Sequence, residues 1–166
     1  MNHVMNSIKI GLLLVGLLGL STTAMGQDYK SSFGVRLGTY VAASFSASAS
    51  TSTTFEGLAG ITREANQTDY VIGTYFRKHF QVSNVVPTLN LYTGVGALVL
   101  LQEEGGENKM NLAPGGIIGM EYTLEHAPAN FFLDVSPMYK VNSNASTKFI
   151  IQASLGARYI FGFSSN

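Results

Sequence analysis

The chain has no cysteine and no tryptophan, only four prolines in 166 residues, and charged residues make up just 12% of it. Without cysteine there is no disulfide framework, no thiolate metal site and no attachment point for a lipoprotein anchor, so burial and backbone pairing must supply the stability. Ten basic residues balance ten acidic ones, which removes the electrostatic footprint of a nucleic-acid binder. Histidine is scarce as well: beyond the N-terminal segment only His79 and His126 remain. Neither has metal-ligand spacing, His79 lies beside Arg77 and Lys78, and His126 follows Glu125, so both read as solvated surface residues.

Long apolar runs are missing too, with one exception. The weakly basic start ends at Lys9, an apolar run extends from Ile10 to Leu20, and small residues lead to Ala24-Met25-Gly26 before Gln27. A helical membrane span needs ~20 apolar residues. This shorter run, with small residues two apart at its end, has the form of a secretory signal peptide. Residues 1–26 are therefore expected to be removed, leaving 27–166 as one domain. Lys9 is the one charge lost, so ten bases and ten acids become nine and ten. Intact-mass measurement of protein purified from membranes should show an N-terminus at Gln27; a mass that retains Met1 to Gly26 would contradict the assignment.

Beyond Gln27 no helical period is evident. Apolar residues recur at every second position, and Gly, Asn, Ser and Thr clusters interrupt them, which predicts an all-β chain. Phe149, Ile151, Ala153, Leu155, Ala157, Tyr159, Phe161 and Phe163 share one face, with Gln152, Ser154, Gly156 and Arg158 opposite. Leu89, Leu91, Thr93, Val95, Ala97, Val99 and Leu101 share another, with Asn90, Tyr92, Gly94 and Gly96 opposite. These two strands are about 15 residues long, against ~5 to 6 for a globular strand. Such lengths suit tilted strands crossing a membrane. Further strands are expected at 53–63, 69–81, about 109–124 and 130–142. The facing of 69–81 is left open by the doublets Val71-Ile72 and Tyr75-Phe76. Pro137 cannot donate to a ladder and predicts a local bulge.

The odd positions from Phe33 to Phe45 keep one parity, so 33–47 reads as one long strand or as two broken near Gly38-Thr39. Single-chain bacterial barrels have even strand numbers, which selects two, and eight in all. Short turns are expected at Ser48–Ser52, Ser83–Val86 and Glu125–Ala129 on the periplasmic side and at Glu103–Asn108 outside. The Ser/Ala/Thr-rich run from Ser44 to Thr54 has the composition of a flexible linker.

The apolar faces are the wide ones, whereas the opposite faces carry glycine and charge: Arg36, Glu56, Glu121, Asp134, Lys140 and Arg158. A soluble sandwich or lipocalin-like barrel shows the reverse. These six are expected to point into the lumen of an antiparallel up-and-down transmembrane β-barrel and to pair across it. Asp134, Arg158, Glu121 and Lys140 would form the network of the last three strands. Tyr122, Tyr139, Tyr159, Phe161 and Phe163 fall near strand ends as an interfacial girdle would, while Tyr92 faces inward.

The segments Phe55-Glu56-Gly57-Leu58-Ala59-Gly60, Leu91-Tyr92-Thr93-Gly94-Val95-Gly96, Gly116-Ile117-Ile118-Gly119-Met120-Glu121-Tyr122-Thr123, Phe132-Leu133-Asp134-Val135-Ser136-Pro137 and Leu155-Gly156-Ala157-Arg158-Tyr159, in that order, resemble successive strands of small eight-stranded outer-membrane β-barrel proteins of Gram-negative bacteria. The resemblance implies an outer-membrane location and periplasmic termini, in a family whose members mostly lack an assigned activity. It implies as partners the outer-membrane lipid and the export and barrel-assembly machinery. Such barrels usually end on an aromatic residue that this machinery reads, whereas Ser164-Ser165-Asn166 follow Phe163 here.

No catalytic constellation stands out. Asp134, a histidine and one of many serines could be nominated as a triad, but no spacing selects them. Gly94-Val95-Gly96 and Gly115-Gly116-Ile117-Ile118-Gly119 lack the strand-to-helix setting of a phosphate loop. The expectation is a structural or surface-interaction barrel, neither enzyme nor channel, without cofactor or metal. The alternative is a soluble periplasmic or secreted barrel holding a small apolar ligand.

Overall fold

Period-2 alternation is realised in eight strands: β1 (Ser31–Gly38), β2 (Val41–Ser50), β3 (Thr53–Glu64), β4 (Gln67–Gln81), β5 (Leu89–Glu104), β6 (Glu107–Thr123), β7 (Ala129–Tyr139) and β8 (Phe149–Phe161). The computed structural model describes residues 31–64, 67–82, 88–104, 107–141 and 148–161. The expected signal peptide, the turn at 83–86, Phe163 and the C-terminal Ser164-Ser165-Asn166 lie outside them. Each strand pairs antiparallel with the next, and β1 pairs with β8 from Ser31↔Phe161 to Gly38↔Ser154, closing the barrel. The stretch 33–47 is two strands, joined by Thr39-Tyr40.

The faces sort as their composition requires. Phe33, Val35, Phe45, Phe55, Val95, Ile118, Leu133 and Leu155 are exposed on the outside, while polar and small residues alternate with them inside. The doublets of β4 resolve with Val71, Tyr75 and Arg77 inward and Tyr70, Ile72, Phe76 and Phe80 outward. Tyr122, Tyr159 and Phe161 ring the end that holds the chain termini, and Tyr139 lies with Tyr70 and Phe149 towards the other. Tyr159 meets Phe161 edge-on at 5.3 Å between ring centroids, and Phe55 meets Phe76 at 5.0 Å, the geometry aromatic pairs prefer.

Two expectations need correction. Pro137 produces no bulge: the β6–β7 register is the same at Gly115↔Met138 as at Ile118↔Val135, with the pairings between them missing. On its other side Pro137 pairs with Ile151 in an unbroken ladder. The absent donor is thus absorbed as a gap facing β6, with no inserted residue. The described bulge lies instead between β2 and β3, where the register shifts between Ser48 and Ser50. The low-complexity run 44–54 is no linker but the end of β2, a tight turn at Thr51-Ser52 and the start of β3, and its serines are useful for being small: Ser44 and Ser46 point inward and leave room for long side chains arriving from opposite strands. The β5–β6 connection is short: β5 extends to Glu104 and β6 starts at Glu107, well into the expected outer loop.

Candidate functional site

Even positions on β1, β3, β7 and β8 and odd positions on β4 and β6 face the lumen, so the strand phases deliver Arg36, Glu56, Asp134, Arg158, Arg77 and Glu121 to one interior. Space for them comes from inward glycines opposite large neighbours. A Cβ at Gly119 would stand 2.6 Å from the Tyr92 ring and 2.6 Å from the Asp134 Cβ, and one at Gly156 would collide with the Phe132 ring. The absence of side chain at these two positions lets Tyr92 and Phe132 lie across the bore.

Glu56 on β3 is the hub. Arg36 Nη2 donates to its Oε1 and Oε2 at 3.1 and 3.2 Å, and Arg158 Nη2 donates to Oε1 at 2.7 Å. Arg77 Nη1 lies 3.2 Å from Oε2 as an ion pair without hydrogen-bond alignment, while Arg77 Nη2 donates to Ser46 Oγ at 2.9 Å. Asp134 is a second acid. It accepts from Arg36 Nη1 at 2.7 Å, from Ser154 Oγ at 2.6 Å and from Tyr92 Oη at 2.6 Å. Arg158 is held further by Nη1 on Glu121 Oε2 at 3.1 Å and Nε on Ser44 Oγ at 3.2 Å. Phe132 packs against two guanidiniums, with Arg158 at 3.8 Å and Arg36 at 4.8 Å from its centroid, and Arg77 lies 5.0 Å from the Tyr92 ring.

Three arginines therefore meet three carboxylates in a bore from which water is nearly excluded: Arg36, Arg77, Arg158, Glu56 and Asp134 are each at most 2% exposed. Burying ions costs several kcal/mol each unless pairing and hydrogen bonds are well formed. Bidentate contacts and serine hydroxyls, which accept from the arginines and in the case of Ser154 also donate to Asp134, supply much of that here, although Arg36 Nε and Arg77 Nε lack partners. The cluster sits nearer the end with the termini, where Arg77 and Glu121 also border a cavity of about 140 Å³ walled by Ser32, Ser46, Thr54 and Asn130. Beyond it, towards the other end, the interior turns apolar with Leu58, Val71, Leu98, Ala113 and Met138.

The sequence-derived residues fall unevenly. Arg36, Glu56, Glu121, Asp134 and Arg158 come together. Lys140 does not: it follows β7 with the inward parity but lies at the mouth, where it makes no ion pair among the described residues. Asp134 and Arg158 are not direct partners; Arg36 and Glu56 link them. Arg77 was not among the expected residues, because the β4 doublets hide which face it occupies; the β3 register, with Thr54 opposite Arg77, would have revealed it. His79 is not a solvated surface residue. It shares Arg77's parity, is only partly exposed, has Nε2 2.9 Å from Thr54 Oγ1, and lies against the Tyr92 ring at 5.3 Å. His126 is exposed in the β6–β7 turn.

Asp134 is committed to Arg36, Ser154 and Tyr92 and has no histidine beside it, so the nominated triad does not assemble. Among the described residues no three His, Asp or Glu side chains converge as metal ligands would. A closed barrel with an apolar exterior and an ion-paired interior defines a fold class: the chain is an eight-stranded, all-antiparallel β-barrel. Two solved outer-membrane barrels share the fold. The N-terminal β-barrel domain of Pseudomonas aeruginosa OprF matches with a TM-score of 0.57 and 12% identity, over 82% of this chain and 100% of that one. Neisserial surface protein A matches with a TM-score of 0.52 and 14% identity, over 79% and 93%. No family model matches the chain, and no curated protein does.

Proposed function

We propose that the protein resides in the outer membrane as a small barrel with a structural or surface-interaction role, and that it neither conducts nor catalyses. The observation that carries this reading is the inverted polarity. Side chains such as Phe33, Val95, Ile118 and Leu155 face outward over the whole girth, forming a belt far larger than the few hundred Å² of contiguous apolar surface a soluble monomer tolerates. Lipid is the solvent that accepts such a surface, and its delivery there calls for the export and barrel-assembly machinery. A soluble barrel holding an apolar ligand would instead keep its charges outside. Size-exclusion chromatography across detergent withdrawal tests the point: the protein should stay monodisperse in detergent and aggregate when it is removed. A monodisperse species in plain buffer would overturn the membrane reading.

Absence of conduction has its own support. Eight strands enclose an interior that side chains can fill, and here Tyr92, Phe132, Met138 and Arg158 cross it, each at most 4% exposed. Homogeneous protein in planar bilayers should give no steady single-channel currents; reproducible unitary steps would overturn the expectation.

A further inference from the structure

One charge interrupts the apolar exterior: Lys78 on β4. It is exposed, and among the described side chains no other charged residue occupies an outward position on a strand. Its height suits a base on such a surface. Outward Phe76 and Phe80 lie two residues to either side, and the strand ends at Gln81, towards the barrel end that holds the termini. Two residues of a strand tilted by ~40° rise about 5 Å, so the ammonium can reach the level of Phe80 and beyond. A base on the lipid face costs most at the bilayer midplane and little at its edge, and a lysine can lay its stem on apolar surface while its head reaches the polar layer. Nζ lies 5.8 Å from the Phe80 ring centroid, on the side of that end.

The neighbours of Lys78 define what it can hold. The ladders set it between Thr53 on β3 and Thr93 on β5, both at outward positions. Thr93 Oγ1 donates to the Ile117 carbonyl at 3.2 Å, whereas the Thr53 hydroxyl makes no such bond, and no carboxylate pairs with Lys78 among the described residues. One row further from the termini the same three strands present Phe55, Phe76 and Val95, 43–64% exposed. An unpaired ammonium and a free hydroxyl thus border an apolar row that runs towards the middle of the barrel wall. A phosphate with a hydrocarbon chain attached matches both parts; a free anion would leave the apolar row unused. We propose that Lys78, with Thr53, binds the phosphate of an anionic glycerophospholipid, one acyl chain of which lies along Phe76. The inference rests on the membrane reading above and adds a defined lipid site to it.

The chain has no tryptophan, so a single introduced one reports on its own surroundings. Phe76→Trp places the reporter beside Lys78, and Tyr159→Trp places a control on β8, half the barrel away in strand order. Each is folded into phosphatidylcholine vesicles carrying a minor fraction of brominated phosphatidylglycerol or, in parallel, of brominated phosphatidylcholine, and fluorescence quenching is measured. At Phe76→Trp the anionic lipid should associate about fivefold more tightly than the zwitterionic one, which is ~1 kcal/mol at 1.4 kcal/mol per tenfold. Tyr159→Trp should show no preference. Adding Lys78→Met to Phe76→Trp should abolish the preference, and Lys78→Arg should keep it. Unboiled gel mobility shows that each variant is folded; if Lys78→Met is not, the two reporters in the lysine-bearing chain decide. Equal quenching by both lipids at Phe76→Trp, the same preference at both reporters, or an unchanged preference in folded Lys78→Met would each overturn the lipid site while leaving the barrel in the membrane. Quenching of Tyr159→Trp alone would overturn it in favour of a second copy of the chain covering this face. No quenching at either reporter by either lipid would overturn the membrane reading as well.

Discussion

Replacing Glu56 with alanine should lower the unfolding free energy by about 3–5 kcal/mol, the cost of breaking a buried ion pair and leaving the remaining charge uncompensated. The upper part of that range is expected because three guanidiniums, those of Arg36, Arg77 and Arg158, converge on this one carboxylate. Urea unfolding of barrels folded into lipid vesicles gives the number. Pairing Glu56→Ala with Arg158→Ala should recover part of the loss, with a coupling of at least about 0.5 kcal/mol for residues in contact. The same cycle on Asp134 and Arg158, which do not touch, should give a smaller coupling, because it passes through Arg36 and Glu56. Asp134→Ala alone should still be costly, since it unpairs Arg36 Nη1 and strands the Tyr92 hydroxyl. A Glu56→Ala loss below about 1 kcal/mol, in the range of an exposed pair, would mean that water reaches the cluster freely.

Leu155→Arg should cost about 2–4 kcal/mol when the barrel is in a bilayer, the range for a base on the lipid face at mid-membrane. Leu155 stands at the middle of β8, 56% exposed, between Leu37 on β1 and Leu133 on β7. Its neighbour Arg158, three residues on and of opposite parity, is tolerated only because it points the other way. Vesicle-folded Leu155→Arg compared with the parent in urea gives the measurement. An unchanged midpoint would place that face against water and reverse inside and outside.

These two residues also show how far a single sequence can be read. A strand has a period of two, so once one face is recognised as wide and apolar the facing of every regular strand follows, and Arg36, Glu56, Glu121, Asp134 and Arg158 were placed inward on that basis. Which of them meet was not legible. Contacts across a lumen depend on closure and stagger of the whole barrel, and no local pattern links Glu56 on β3 to Arg158 on β8. Arg77 and His79 were lost where adjacent apolar residues on β4 blurred the period. Lys140 had the right parity but the wrong height, since parity fixes a direction and says nothing of depth. Pro137 signalled a lost donor correctly, but whether a ladder answers with a bulge or a gap depends on the neighbouring strand.

Glu56 lies 20 residues after Arg36 and 102 before Arg158 in the chain. It can collect both only when β8 has zipped onto β1, so the first strand and the last must be home together. With that seam open Arg158 cannot reach Glu56, so the cluster is complete only in the closed barrel. The charges therefore behave as a latch: once the seam has shut, reopening it means parting several ion pairs at once.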